Sequence, residues 1–282
     1  MTSQTTQKGL SGFALKYFAA FLMLLDHLHY FFAFTGKVPL FFSWLGRLSA
    51  PLFLFCIVEG FIHTHDRKKY FLRIYLISVV MGLIQFSFYN IGSGLVRGDG
   101  FFPQNQMLAS FSILLVVLQG IDWCQKKQWI RGLAAILIPI LLPFIAMIPF
   151  GLESGSPMGL FLLNLLTFTV LPLHTSIIDG GTITLLTGVL LYAFRKKRKR
   201  QAVGFIIICI LLDILRIAVL VPGLTVSDFF TQAYEWMEVF AVLPMLCYNG
   251  TRGTGSKKFF YWFYPVHIYL LYALSCVIYS FL

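Results

Sequence analysis

Apolar runs of bilayer-crossing length, separated by short polar or basic segments, fill the chain almost continuously from residue 13 onward. Taking about 20 apolar residues as the length of a membrane-spanning helix, helices are expected at 13–35, 39–62, 70–89, 107–124 and 130–150. Further ones are expected at 158–173, 177–194, 202–221, 232–248 and 259–282. The pattern therefore predicts an all-α, polytopic membrane helix bundle, treated as a single domain over residues 1–282. The first run carries Asp26 and His27 and has no small-residue cleavage site, so it is expected to be a retained span and not a leader.

Basic residues orient this ladder. Lysine and arginine collect in the stretches HTHDRKKYFLR, KKQWIR, RKKRKR and TRGTGSKK, which places these segments and the N-terminus on the cytoplasmic side. Ten full crossings would put RKKRKR outside, so one candidate between residues 151 and 194 is expected not to cross. The short, proline-terminated stretch 158–172 is the choice for a broken or re-entrant helix, leaving nine or ten spans.

Composition supports this picture: of 282 residues, 58% are hydrophobic and only 12% charged, too few charges for a separate soluble domain. The net charge of +11 is distributed at the ends of apolar segments, where it faces anionic headgroups, so no nucleic-acid partner is expected. Cys56, Cys124, Cys209, Cys247 and Cys276 are scattered singly, without metal-ligand spacing, so neither disulfides nor a metal site is expected.

The informative residues are the polar ones that lipid disfavours. A charge at mid-membrane costs roughly 2.5 to 3.5 kcal/mol on insertion scales, which makes each one a functional candidate. On the first helix Lys16, Ala20, Met23 and His27 share a face, and eleven residues of rise put His27 about 16 Å from Lys16. Asp26 lies about 100° around the helix from His27, so its partner is expected on another helix, whereas His29 points elsewhere. Arg47 lies deep in the second run and needs Asp26 or an anionic ligand, and Pro51 permits a kink there. Glu59, His63 and Arg67 follow i, i+4, i+8 spacing and are expected to form one polar edge, continued by Lys68, Lys69 and Arg73. His267 falls well inside the last run, two residues after Pro265, and an imidazole there can serve acid–base chemistry. Asp213 and Arg216, spaced i, i+3, are expected to pair. For Asp26 and His27 the plainer alternative is helix-to-helix glue, and for Arg67, Lys68 and Lys69 it is topogenic charge.

The stretches LKYFAAFLMLLDHLHYFF, LGRLSAPLFLFCIVEGFIHTHDRKKYFLR, YNGTRG and KKFFYWFYPVHIYLLY, in that order, resemble the TraX family of membrane proteins, associated with N-terminal acetylation of pilin. That family is in turn similar to the transmembrane acyltransferases of bacterial cytoplasmic membranes. The resemblance implies acetyl-CoA as donor, no metal, and an acceptor amine or hydroxyl on a peptide such as pilin or on a glycan. It implies His27 as catalytic base, Asp26 as its charge partner and His267 as a second site residue. It implies Arg47, Arg67 and Arg73 as coenzyme anchors, and the polar-edge residues Glu59, His63, Lys68 and Lys69 are expected to complete the coenzyme-binding set. Buried Asp, His, Arg and Glu beside prolines also suit a proton-coupled transporter or flippase, or a non-catalytic assembly factor, and the intramembrane charges alone do not choose among these.

Overall fold

A computed structural model describes residues 8–92, 94–152, 156–177, 179–220 and 225–282, with side chains at all of these except 150–152 and 213–220. Asp213 and Arg216, expected to pair, thus lie outside the described side chains. The structure is 74% helical, with no strand among the described residues, which confirms the all-α class. In chain order the helices are α1 (Gly12–Phe32), α2 (Phe41–Gly46), α3 (Ser49–His63), α4 (Arg67–Asn90), α5 (Met107–Gln125) and α6 (Trp129–Leu152). They continue as α7 (Pro157–Phe168), α8 (Gly181–Ala193), α9 (Arg198–Leu220), α10 (Asp228–Thr231), α11 (Val242–Leu246) and α12 (Lys257–Tyr279).

Six segments among the described residues are long and apolar enough to cross a membrane: Gly12–Thr35, Phe41–His63, Arg67–Asn90, Met107–Gln125, Trp129–Pro149 and Lys257–Tyr279. Each coincides with an expected span. The other four expected spans turn out differently. The stretch chosen as re-entrant is the 12-residue α7, about 18 Å long, and α8 has 13 residues, about 20 Å, both short of the ~30 Å hydrocarbon core. Helix α9 is long, but the side chains of its last eight residues are not described. The expected span at 232–248 is instead an eight-residue 3-10 helix, Tyr234–Ala241, followed by the five-residue α11. Pro244 in α11 has no N–H to give to the carbonyl four residues back, and the Trp236 indole is held by the Phe229 carbonyl at 2.9 Å, so a continuous α-helix does not form.

The chain divides into two compact units, Met1–Gly60 with Leu190–Phe260, and Phe61–Val189 with Tyr261–Leu282. In the first unit, α2 packs on α1, and the 3-10 helix Tyr234–Ala241 packs on α2 and α9. Ser11 caps α1 by accepting the Ala14 N–H at 3.2 Å. The second expected span breaks between α2 and α3 because Pro51 leaves the Arg47 carbonyl without its helical partner. A buried bond at 2.8 Å from the Ser49 hydroxyl to the Ala19 carbonyl ties the resumed helix to α1.

In the second unit, α5 forms the most buried element, with α4 and α6 packed on it and α7 on α4 and α6. The α5–α6 crossing is made by Gly120 and Gly132, where a Cβ on either would strike the other's backbone carbonyl. Small residues permit such backbone approach where apolar burial gives no preference for one helix pairing over another.

Candidate functional site

On α1, His27 is 5% exposed and lies on the buried face with Ala20 and Met23, as periodicity predicts. Its ring sits 5.8 Å from that of Phe31 and 6.1 Å from that of Tyr30, an aromatic collar with little water around the imidazole. Asp26 faces a different neighbour. Arg47, at the α2–α3 break, donates from Nη2 to Asp26 Oδ1 at 2.8 Å and to Oδ2 at 3.0 Å, and its guanidinium lies 5.5 Å from the Tyr234 ring centroid. A guanidinium gripping both carboxylate oxygens is a strong pairing, and the adjoining Gly46 makes room for it: a Cβ there would collide with the Asp26 side chain. His29, which the sequence reading sets aside, turns to the same helix, its Nδ1 lying 3.0 Å from the Ser43 hydroxyl. Asp26 and His29, three residues apart, therefore grip α2 while His27 is directed into the core.

A second ion pair lies in the same unit. Arg198 reaches Glu59 Oε1 with both terminal nitrogens at 3.2 Å, donates to Gln201 Oε1 at 2.6 Å, and stacks on Phe55 and Tyr248. Glu59 is 8% exposed, and Arg198 is the counter-charge it faces in the interior. Sequence reasoning missed Arg198 because it sits in the run RKKRKR, taken as a topology signal; its Gln201 neighbour at i+3 was the available clue.

The expected polar edge of Glu59, His63 and Arg67 is corrected by the structure. Helix α3 ends at His63, which is exposed, and α4 starts afresh at Arg67. Asp66 terminates the run by capping α4: its carboxylate accepts the Lys69 N–H at 2.9 Å and meets the Lys69 ammonium at 3.1 Å. These contacts hold the Asp66 carboxyl below the usual carboxylate range. An i, i+4, i+8 series needs one continuous helix, and the cap removes it.

In the second unit, Arg67 donates to Asp122 at 2.9 Å and to Gln119 at 3.2 Å on α5 and lies 4.2 Å from the Phe61 ring centroid, while Lys126 also meets Asp122 at 2.8 Å. Lys68 and Arg73 on α4 are exposed. His267 on α12 is 6% exposed, stacks on Phe263 at 4.5 Å, and lies 2.6 Å through Nδ1 from the Phe263 carbonyl. A carbonyl only accepts, so the proton resides on Nδ1 and the ring presents Nε2 as its basic nitrogen. In the loop before α5, Arg97 is buried in a fork with Asp99 at 2.8 and 2.9 Å, which holds the Asp99 carboxyl below its usual range. No group of three His, Cys, Asp or Glu side chains with metal-holding geometry occurs among the described residues.

A membrane helix bundle with buried ion pairs and a buried imidazole on its first span is the class this architecture defines. The TraX protein family matches residues 11–275, and the chain belongs to that family. A relative from Dichelobacter nodosus, named "Probable fimbrial assembly protein FimC, serogroup H1", is 25% identical over 276 residues, covering 93% of this chain and 94% of its own length. No solved structure matches.

Proposed function

We propose that the chain is a membrane-embedded acetyltransferase that moves an acetyl group from cytoplasmic acetyl-CoA to an acceptor amine or hydroxyl on a pilin-type peptide or a glycan. The observation that carries this reading is the burial of His27, an ionisable ring kept in the interior of the first span of a TraX-family chain. The family's association with pilin modification and the fimbrial name of the relative from Dichelobacter nodosus support a pilus-related acceptor.

In this reading the acceptor nitrogen or oxygen attacks the thioester carbon while His27 removes its proton. The C–S bond breaks, and the imidazolium returns the proton to the departing coenzyme thiolate. Asp26, the residue next to His27 in the chain, is assigned the balancing of positive charge on the ring, and Arg47, its ion-pair partner, the favouring of negative charge on the carbonyl oxygen. His267, with its proton on Nδ1, serves as a second site imidazole. Arg47, Glu59, His63, Arg67, Lys68, Lys69 and Arg73 keep their proposed part in holding the coenzyme, with Lys68, Lys69 and Arg73 the exposed cations among them. The N-terminus is cytoplasmic, and the membrane is the bacterial cytoplasmic membrane.

The relative's name also favours a second reading, a non-catalytic assembly factor in which the ion pairs only hold helices together. Thermal unfolding in nanodiscs separates the two. Coenzyme A at about 100 times its dissociation constant adds about 2.7 kcal/mol to an enzyme that binds it, and acetyl-CoA is consumed only when acceptor is supplied. An assembly factor shows neither effect, and a carrier is stabilised by its solute instead.

A further inference from the structure

In the first unit each of the ion pairs described above joins a cation to a carboxylate, Arg47 to Asp26 and Arg198 to Glu59. One cationic cluster breaks this rule. Lys16, about 16 Å along α1 from His27, holds its ammonium 5.8 Å from the centroid of the Phe13 ring. The Arg252 guanidinium lies 5.5 Å from the same centroid. Lys16 is also within electrostatic range of Lys257, the first residue of α12. No carboxylate pairs with Lys16, Arg252 or Lys257 among the described residues.

The cluster is built rather than incidental. The loop carrying Arg252 is pinned to the start of α1 through its backbone: the Gly12 N–H donates to the Thr251 carbonyl at 2.8 Å and the Phe13 N–H to the Arg252 carbonyl at 3.0 Å. One residue pair earlier, the Leu10 N–H donates to the Cys247 carbonyl at 2.8 Å and the Asn249 N–H to the Leu10 carbonyl at 3.0 Å. Asn249 closes the turn by accepting from the Thr251 N–H and hydroxyl at 3.0 and 2.7 Å. Gly255 lies so close to Phe13 that a Cβ would strike the ring. Ser256 then anchors the start of α12, its N–H donating to the Tyr17 hydroxyl at 3.3 Å and its own hydroxyl accepting the Phe259 N–H at 3.4 Å. Hydrogen bonds from the backbone thus hold three like charges near one another, beside the positive end of a 23-residue helix.

Like charges so placed repel one another, and an anionic group among them offsets that repulsion while collecting charge-assisted hydrogen bonds. We infer that Lys16, Arg252 and Lys257, with the first turn of α12, form a phosphate-binding site. A phosphate monoester or diester fits this chemistry, whether carried by a nucleotide or by an anionic lipid headgroup. Assigning the nucleotide to the acetyl donor rests on the acetyltransferase reading; the phosphate site does not.

The test uses the full chain in nanodiscs with two probes, soluble adenosine bisphosphate in phosphatidylcholine discs, and phosphatidylglycerol in place of phosphatidylcholine. The variants are Arg252→Gln and Lys16→Met, neither of which touches the backbone bonds that pin the loop. Lys196→Gln, an exposed cation in another segment, controls for net charge. Adenosine bisphosphate is expected to bind the parent, with affinity falling about tenfold or more in Arg252→Gln and Lys16→Met and less than about twofold in the control. If instead phosphatidylglycerol alone stabilises the protein, and the two variants lose that effect, the site holds a headgroup and the acetyltransferase reading is untouched. Failure of the parent to respond to either probe, or equal responses in all three variants, overturns the proposal.

Discussion

Replacing Arg47 by methionine removes both bonds to Asp26, at 2.8 and 3.0 Å, and the cation over Tyr234, but keeps much of the side chain's apolar length. The carboxylate left behind is only 17% exposed, so water cannot fully replace the guanidinium. Removing one partner of a fully buried pair costs about 3–5 kcal/mol. Arg47 retains 30% exposure, which places the loss here nearer about 2–3 kcal/mol, or roughly 30- to 150-fold in the unfolding constant. Removing both charges, Asp26→Leu with Arg47→Met, leaves no stranded ion and is expected within about 1 kcal/mol of the parent. Reversible unfolding in mixed detergent micelles, followed by tryptophan fluorescence, gives all four corners of the cycle. A coupling of about 2 kcal/mol between the two positions is the expected result. Additive single losses, with coupling below about 0.5 kcal/mol, would refute the view that this pair fixes the α1–α2 contact.

Other consequences follow from the same geometry. Gly46→Ala puts a methyl group against the Asp26 side chain, and the forced shift of α2 is expected to cost about 1–3 kcal/mol in the same unfolding assay, whereas Gly94→Ala, with open space around it and no left-handed backbone, avoids the collision. Asp99 is held below its usual range by the Arg97 fork. The stability it contributes is thus present above the unfolded-chain value of about 4 and lost as pH falls through the lower folded value. Thermal unfolding between pH 7 and pH 3 should show that acid-side loss in the parent and a flatter limb in Asp99→Asn, with a difference of no more than about 1 kcal/mol because the pair is partly solvated.

Hydropathy alone located the six long spans, because a bilayer crossing is a length requirement that composition records directly. It overreached at 232–248, where apolar content matches a span but Pro244 and the held Trp236 indole impose a tighter helix. The Asp26–Arg47 pair was foreseeable because each charge is costly alone and the other was the nearest candidate of opposite sign. Two features were harder to see. Asp66 looks like one more charge in a basic run until its bond to the Lys69 N–H identifies it as a helix cap, and with that cap the supposed Glu59–His63–Arg67 edge disappears. Arg198 and Arg252 both sit in runs that the positive-inside rule explains as a group, so the rule hid what each residue does individually. Only tertiary contacts separate a guanidinium paired with Glu59 from one that shares the Phe13 ring with Lys16.

The central claim concerns His27, and labelled acetyl transfer from acetyl-CoA in proteoliposomes tests it most directly. With His27→Gln inserted and folded as the parent, transfer is expected to fall about 10²- to 10⁴-fold, while stabilisation by coenzyme A is retained. Transfer at the parental rate in His27→Gln would contradict the assignment of His27 as the catalytic base.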